Sequence, residues 1–262
     1  MKRLMLFCAL FCSSLCLLAQ PGPYAVVDFF KVDPGKGAAY LKMEKELWKP
    51  IHQARQKAGE ILAWYCYSVD FSGSGSEYNY VTVTVVENLA KMDGVDYQKW
   101  FKTVHPKRTI EEMTKTTNDA RVMVRSELVR RVAAALPAKA PEKRSPMISL
   151  SFFKSPDEKA DAYAKMVSDI LIPVNKAMVE TDPNSDLSFW EVWFPNGSSA
   201  KYNYVGVASM PNYAVMSEED NKYDEMFKKV NPQLDQKQVR QTIATMRTRY
   251  KGEIWWVEDF VE

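Results

Sequence analysis

Few residues in this chain are of a kind that does chemistry. It has two histidines, His52 and His105, and imidazole is the side chain that most readily trades protons near neutral pH. His105 follows a predicted helix in Thr103-Val104-His105-Pro106, and Asp28 and Glu127 lie in strand-forming runs. These three are the candidate catalytic bases. Asp28, Tyr80, Glu127, Tyr204 and Glu253 are the candidate ligand-binding set, because carboxylates beside tyrosines can hold a small polar or aromatic molecule. Such carboxylates can also move a proton where burial raises their pKa. A structural reading stands beside this one: Arg125 is two residues from Glu127, and Lys251 two from Glu253. Alternate residues of a strand share a face, so each carboxylate has a cation to pair with. His52 sits beside Pro50 on a predicted outer helix, where it caps a carbonyl freed by the proline or faces solvent.

Other chemistries lack their residues. No HExxH or paired His/Cys spacing specifies a metal, no glycine-rich loop cradles phosphate, and no GxSxG elbow is present. The reading therefore assigns no cofactor and no metal. One axial histidine is all that haem would require, and His52 or His105 would be the ligand. The start, Met1-Lys2-Arg3, an apolar run from Leu4 to Leu18 and then Ala19-Gln20-Pro21, has the order of a signal peptide, with cleavage after Ala19. Export to the periplasm or outside the cell is thus expected. Cys8, Cys12 and Cys16 leave with the leader, so Cys66 is the one thiol kept, and its aromatic strand context makes it a buried, inert cysteine. Of 35 basic residues, Lys2 and Arg3 leave as well, and the remaining 33 face 33 acidic ones. That balance gives no electrostatic reason for nucleic acid or an anionic membrane as partner. A small organic ligand and self-association remain open.

The elements that must position these groups occur twice. Phe29-Phe30-Lys31 returns as Phe152-Phe153-Lys154 at an offset of 123, and Tyr40, Met43, Leu47 and Ile51 return as Tyr163, Met166, Ile170 and Val174. Tyr78-Asn79-Tyr80-Val81 returns as Tyr202-Asn203-Tyr204-Val205 at 124, and Arg121, Arg125 and Glu127 as Arg247, Lys251 and Glu253 at 126. Such a steady offset marks an internal duplication. The copies span residues 24–132 and 147–262, after a leader at 1–19. Residues 133–146, with Pro137, Pro141 and Pro146, form a semi-stiff linker reaching about 40 Å.

Within each copy the pattern predicts a strand (Ala25 to Val32; Met147 to Lys154) and a long helix opened by Asp33-Pro34 or by Ser155-Pro156-Asp157-Glu158. Pro50 and Pro173 fall inside those helices, so a kink is expected at the same place in both. A hairpin follows (Ile61 to Phe71 with Tyr78 to Val86; Leu187 to Phe194 with Tyr202 to Met210). Two shorter helices come next, then a closing strand, Val122 to Val132 or Arg249 to Val261. The order βαββαβ is the ferredoxin-like split βαβ, and the fold class is α+β.

With this order repeated in tandem, and with Trp48-Lys49-Pro50-Ile51-His52 leading to the Tyr-Asn-Tyr-Val strand, the chain resembles the dimeric α/β-barrel superfamily, in particular an uncharacterised exported bacterial branch. The resemblance implies two ferredoxin-like sheets closing one eight-stranded barrel within a single molecule, with helices outside. It transfers no catalytic motif, since the superfamily holds cofactor-free monooxygenases, haem proteins, small-ring cyclases and proteins without assigned activity. In such a barrel, Val27 and Phe29 with Val81, Val83 and Val85 are expected to pack on the helices. Val26, Asp28 and Phe30 with Tyr78, Tyr80, Thr82 and Thr84 would then face inward, as would Phe153, Tyr202 and Tyr204 and the Arg125-Glu127 and Lys251-Glu253 pairs. Three functions follow as alternatives: a binding protein with a ligand cavity between the sheets, a cofactor-free oxygenase or isomerase using His105 or an inner carboxylate, and a structural or interaction protein without ligand.

Overall fold

The first strand, β1 (Tyr24–Lys31), reads YAVVDFFK, with apolar side chains on both faces. Such a strand belongs between two layers. This computed structural model describes residues 22–139, 141–184, 186–197, 199–216 and 221–262, so the expected leader at 1–19 lies outside the described residues. After β1 come helices α1 (Gly37–Met43) and α2 (Lys49–Lys57), strands β2 (Ala63–Val69) and β3 (Tyr80–Val86), helices α3 (Tyr97–Val104) and α4 (Ile110–Ala120), and strand β4 (Val122–Ala135). Copy two repeats the series as β5 (Met147–Lys154), α5 (Asp157–Met166), α6 (Ile172–Thr181), β6 (Leu187–Phe194), β7 (Tyr204–Met210), α7 (Asn221–Val230), α8 (Gln236–Met246) and β8 (Thr248–Val261).

The strands form one closed antiparallel barrel in the order β1-β3-β2-β8-β5-β7-β6-β4. Each copy contributes four neighbouring strands, and the pairs β2–β8 and β4–β6 join the copies. Closure leaves no unpaired strand edge. β4 runs on to Ala135, so the expected linker gives up its first residues to the barrel.

Three apolar layers result. Phe29, Val81, Val129, Phe152, Val205 and Trp255 meet inside the barrel. Tyr40, Leu47, Ile51 and Trp64 pack outside it under the helices of copy one, and Tyr163, Val174, Phe189 and Tyr204 under those of copy two. The expected sorting of β1, β3, β5 and β7 is therefore inverted: Val27 and Phe29 face the barrel, while Asp28 and Phe30 face the helices. Cross-strand partners share a face. Val27 pairs with Glu127 and Phe29 with Arg125, so the inward carboxylate carries the β1 valine inward with it.

The repeated Tyr-Asn-Tyr-Val motif has a clear local role. Asn79 accepts a hydrogen bond from the Val32 N–H at 2.8 Å and donates one to the Val32 carbonyl at 2.8 Å. Asn203 makes the same pair with Ser155. Each asparagine clamps the chain as it leaves the first strand of its copy. The chain bends at the asparagine, just before β3 and β7 begin, and the flanking tyrosines part: Tyr78 goes to the barrel and Tyr80 to the helix layer.

Neither long helix is capped as its sequence signals suggest. Asp33 starts a turn, its carbonyl accepting from the Lys36 N–H, and α1 opens at Gly37 without a side-chain cap. The Ser155 hydroxyl donates to the Met246 carbonyl instead of capping α5. At Pro50 and Pro173 the chain widens into a π-helical turn, Glu44–Trp48 and Val167–Leu171, just before each proline. The Lys49 N–H reaches back five residues to the Glu44 carbonyl, and Ile172 does the same to Val167. The wide turn makes room for the proline ring, which clashes with the preceding turn of a regular helix. It also leaves carbonyls to satisfy. His105 Nε2 donates to Leu47 O at 2.9 Å in copy one, and Asn175 Nδ2 to Leu171 O at 2.8 Å in copy two.

Candidate functional site: a chamber inside the barrel

Side chains at the centre of the barrel are mostly Ala and Val, too short to fill it. Ala25, Val27, Val83 and Val85 of copy one face Ile148, Leu150, Val205 and Val207 of copy two across a cavity of about 400 Å³. Tyr65, Tyr67, Trp190 and Trp255 give it aromatic walls. Its mouth lies at the linker end, between Leu62, Leu136 and Arg144. There Glu262 accepts hydrogen bonds from the Tyr65 hydroxyl and from Arg144, whose guanidinium also lies 4.8 Å over the Phe260 ring. Burial, and then the Glu262 carboxylate, hold the Tyr65 phenol well above its usual range, so it stays a donor.

The opposite end is closed by two charged clusters related by the duplication. Glu127 accepts from Arg125 Nε at 2.9 Å and from the Tyr202 hydroxyl at 2.5 Å. Glu253 accepts from Lys251 at 2.7 Å, from the Tyr78 hydroxyl at 2.8 Å and from Trp255 Nε1 at 2.9 Å. Each cluster spans both copies, since Tyr78 reaches the carboxylate of β8 and Tyr202 that of β4. The cations also lie over aromatic faces, Arg125 at 3.8 Å from the Phe29 centroid and Lys251 at 4.6 Å from that of Phe152. Burial and the adjoining carboxylate push both phenols up, so both remain protonated and donate. With their oxygens so engaged, Glu127 and Glu253 form a structural floor more than a free base.

Tyr78→Phe and Tyr202→Phe each remove a donor from a carboxylate that ties the copies together, half-buried for Glu253 and buried for Glu127. Each is expected to lower stability by about 1–3 kcal/mol, measured by urea unfolding. Unchanged midpoints in both variants would show that the floor is solvated and that the tyrosines carry none of its stability.

The remaining candidates lie outside the barrel. Asp28 is in the helix layer of copy one, where burial raises its carboxyl against a Ser126 hydrogen bond and the Arg121 charge. Tyr80 packs on Tyr40 with ring centroids 4.5 Å apart. Tyr204 donates to the Ala160 carbonyl at 3.1 Å, stacks on Phe189, and is pushed up to about 12 by burial. His105 caps the π turn. His52, expected as a carbonyl cap or solvent-facing, is instead 5% exposed and stacked at 4.9 Å on Trp64. The carbonyl-capping role expected of it belongs to His105 and, in copy two, to its own counterpart Asn175. Cys66 is buried under Tyr40, and burial drives its thiol far up. The barrel thus unites Glu127 and Glu253 with Tyr78 and Tyr202, and leaves Asp28, Tyr80, Tyr204 and His105 in the helix layers. Tyr78 and Tyr202, left out of the candidate set, were expected to face inward and do so; the bend at the asparagine that sends Tyr80 and Tyr204 to the other side carried no signal in the sequence.

No family model matches the sequence, and no curated protein matches it. Among solved structures, a candidate monooxygenase from Lactobacillus acidophilus NCFM superposes with a TM-score of 0.56 at 10% identity, over 92% of this chain and 96% of that one. A candidate monooxygenase from Fusobacterium nucleatum gives 0.56 at 9% identity, over 92% and 94%. Likeness at such identity speaks for architecture and not for reaction. The order of strands, the closed barrel and the similarity to these structures agree: the chain has the dimeric α/β-barrel fold, with both halves of the barrel in one polypeptide.

Proposed function

We propose that the protein binds a small, largely apolar organic molecule inside the barrel, and does so in the periplasm or outside the cell once residues 1–19 are removed. The observation that carries this reading is the chamber of about 400 Å³ between the sheets. Protein interiors are close-packed, with few voids larger than a water, whereas sites for small molecules begin at about 300 Å³. The chamber's walls are valines, isoleucine and aromatic rings, so the ligand is recognised by shape and apolar area. Tyr65, Arg144 and Glu262 at the mouth offer polar contacts to one end of it. Turnover has less support than binding. His105 and Asp28 lie outside the chamber, and Glu127 is held by Arg125 and Tyr202. The barrel closes within one chain, so the chamber is complete without a second copy.

The neutral probe N-phenyl-1-naphthylamine, whose fluorescence rises in apolar surroundings, tests this. It is expected to titrate saturably at one per chain, and Val207→Trp or Val83→Trp, which fill the chamber, to weaken it at least tenfold. Identical titrations for the wild type and both filled variants, each shown to be folded by circular dichroism, would remove the barrel as the site.

A further inference from the structure

The duplication supplies an internal control for the helix layers. In copy one Arg121, between α4 and β4, lies 3.7 Å over the Phe30 ring and reaches the buried Glu44 carboxylate. The Trp48 indole fills the adjoining space, its centroid 5.5 Å from the guanidinium carbon. Trp48 donates to Thr117 at 3.2 Å and meets Phe101 edge to face.

Copy two keeps the cation and its platform. Arg247 lies 3.4 Å over Phe153 and 5.2 Å from Tyr163, the counterparts of Phe30 and Tyr40. The two groups it should meet are gone: at the offset of 123, Val167 replaces Glu44 and Leu171 replaces Trp48. Two consequences are visible. Arg247 Nη1 is buried without a hydrogen-bond partner. Beside it opens a cavity of about 530 Å³, lined by Leu171, Phe227 and Ile243, the counterparts of Trp48, Phe101 and Thr117. Among the described residues no carboxylate pairs with Arg247, and the nearby Arg240 is already taken by Asp224 at 2.6 Å. Burial, with the charge of Arg249 beside it, holds the Arg247 guanidinium below its usual range. A guanidinium stays charged even so, and this half-buried one keeps a desolvated nitrogen without an acceptor, which is costly.

We infer that the helix layer of copy two binds an aromatic carboxylate, whose carboxylate occupies the place of Glu44 against Arg247 and whose ring occupies the place of Trp48. A planar carboxylate matches the guanidinium fork, and the missing indole leaves room for a bicyclic ring. This site lies on the opposite face of the sheet from the barrel chamber: Phe153 points to it, Phe152 to the chamber. It stands independently of the function proposed above.

The test uses the full chain, with 2-naphthoate as probe and neutral 2-naphthamide as control, both read by calorimetry. Naphthoate is expected to bind at one per chain and at least tenfold tighter than the amide. Arg247→Gln should abolish that preference, and Leu171→Trp should remove binding of both. Val167→Glu copies the pair with which copy one already folds; it should remove naphthoate binding and raise the melting temperature. Val207→Trp, in the barrel, should change nothing. Absence of saturable naphthoate binding to the wild type overturns the inference. So does a carboxylate preference that survives Arg247→Gln, or binding lost in Val207→Trp but kept in Leu171→Trp, which would assign the probe to the barrel.

Discussion

Arg121→Met is expected to lower the free energy of unfolding by about 3–5 kcal/mol, the cost of breaking a buried ion pair from one side. Glu44 is 1% exposed, and burial already raises its carboxyl against the opposing charge of Arg121. Without the guanidinium, that carboxylate must take up a proton or draw water into the layer under α1. The change also strips the cation from the face of Phe30. Glu44→Val with Arg121→Met replaces both charges by apolar side chains of similar bulk, and such replacements are often neutral or stabilising. The double variant should therefore be more stable than Arg121→Met alone. Urea unfolding of the four proteins in this cycle measures the difference. A loss below about 1 kcal/mol in Arg121→Met would place the pair among solvated surface bridges instead.

Acidification is expected to destabilise the protein through His52. Its pKa is lowered to about 3, first by burial and then by the charges of Arg55 and Arg121. The imidazole is held between Trp64 and Trp48, and its buried Nδ1 has no partner. The folded pKa lies below the unfolded value of about 6.5, so between the two the unfolded chain binds more protons. His52's contribution is thus present above that unfolded value and is lost as pH falls towards about 3. The slope is about 1.4 kcal/mol per pH unit, on the order of 3 kcal/mol between neutrality and pH 4. Asp28 and Glu44, whose pKa values are raised, work the other way, gaining stability as acid protonates them in the fold. His52→Phe keeps the stack and removes the titration, so subtracting its profile from that of the wild type isolates the histidine. Parallel profiles between pH 6 and 4 would mean that the ring is protonated in the folded state.

The duplication and the strand order were legible because each rests on patterns repeated at a steady offset, whereas the closed barrel followed only from the family resemblance. The facing of β1 was not. Its residues are apolar on both sides, since one side meets helices and the other the opposite sheet, and a period of two carries no sign when both faces are buried. The sorting placed Asp28 inward, opposite the valines; in the fold it answers Arg121 and Ser126 under the helices. β4 and β8 were easier, because Leu128 and Ile254 alternate with Glu127 and Glu253. At Pro50 and Pro173 the sequence located the disturbance but not its form, because a π turn is a response to the ring and leaves no residue signature of its own. His52 shows a further limit. A polar residue on a predicted outer helix reads as exposed until the partner that covers it, Trp64 from a distant strand, is known.

Joining the two halves in one polypeptide has a consequence for how the molecule can change over time. When identical chains close a barrel, every substitution arrives twice, and a loss such as glutamate to valine at the π turn would empty both helix layers at once. Here the two copies differ at that position, with glutamate at 44 and valine at 167. One layer retains its ion pair and holds the scaffold, and the other is free to exchange internal order for an open pocket. Covalent linkage thus turns a symmetric architecture into one whose halves can be selected separately, one for persistence and one for recognition.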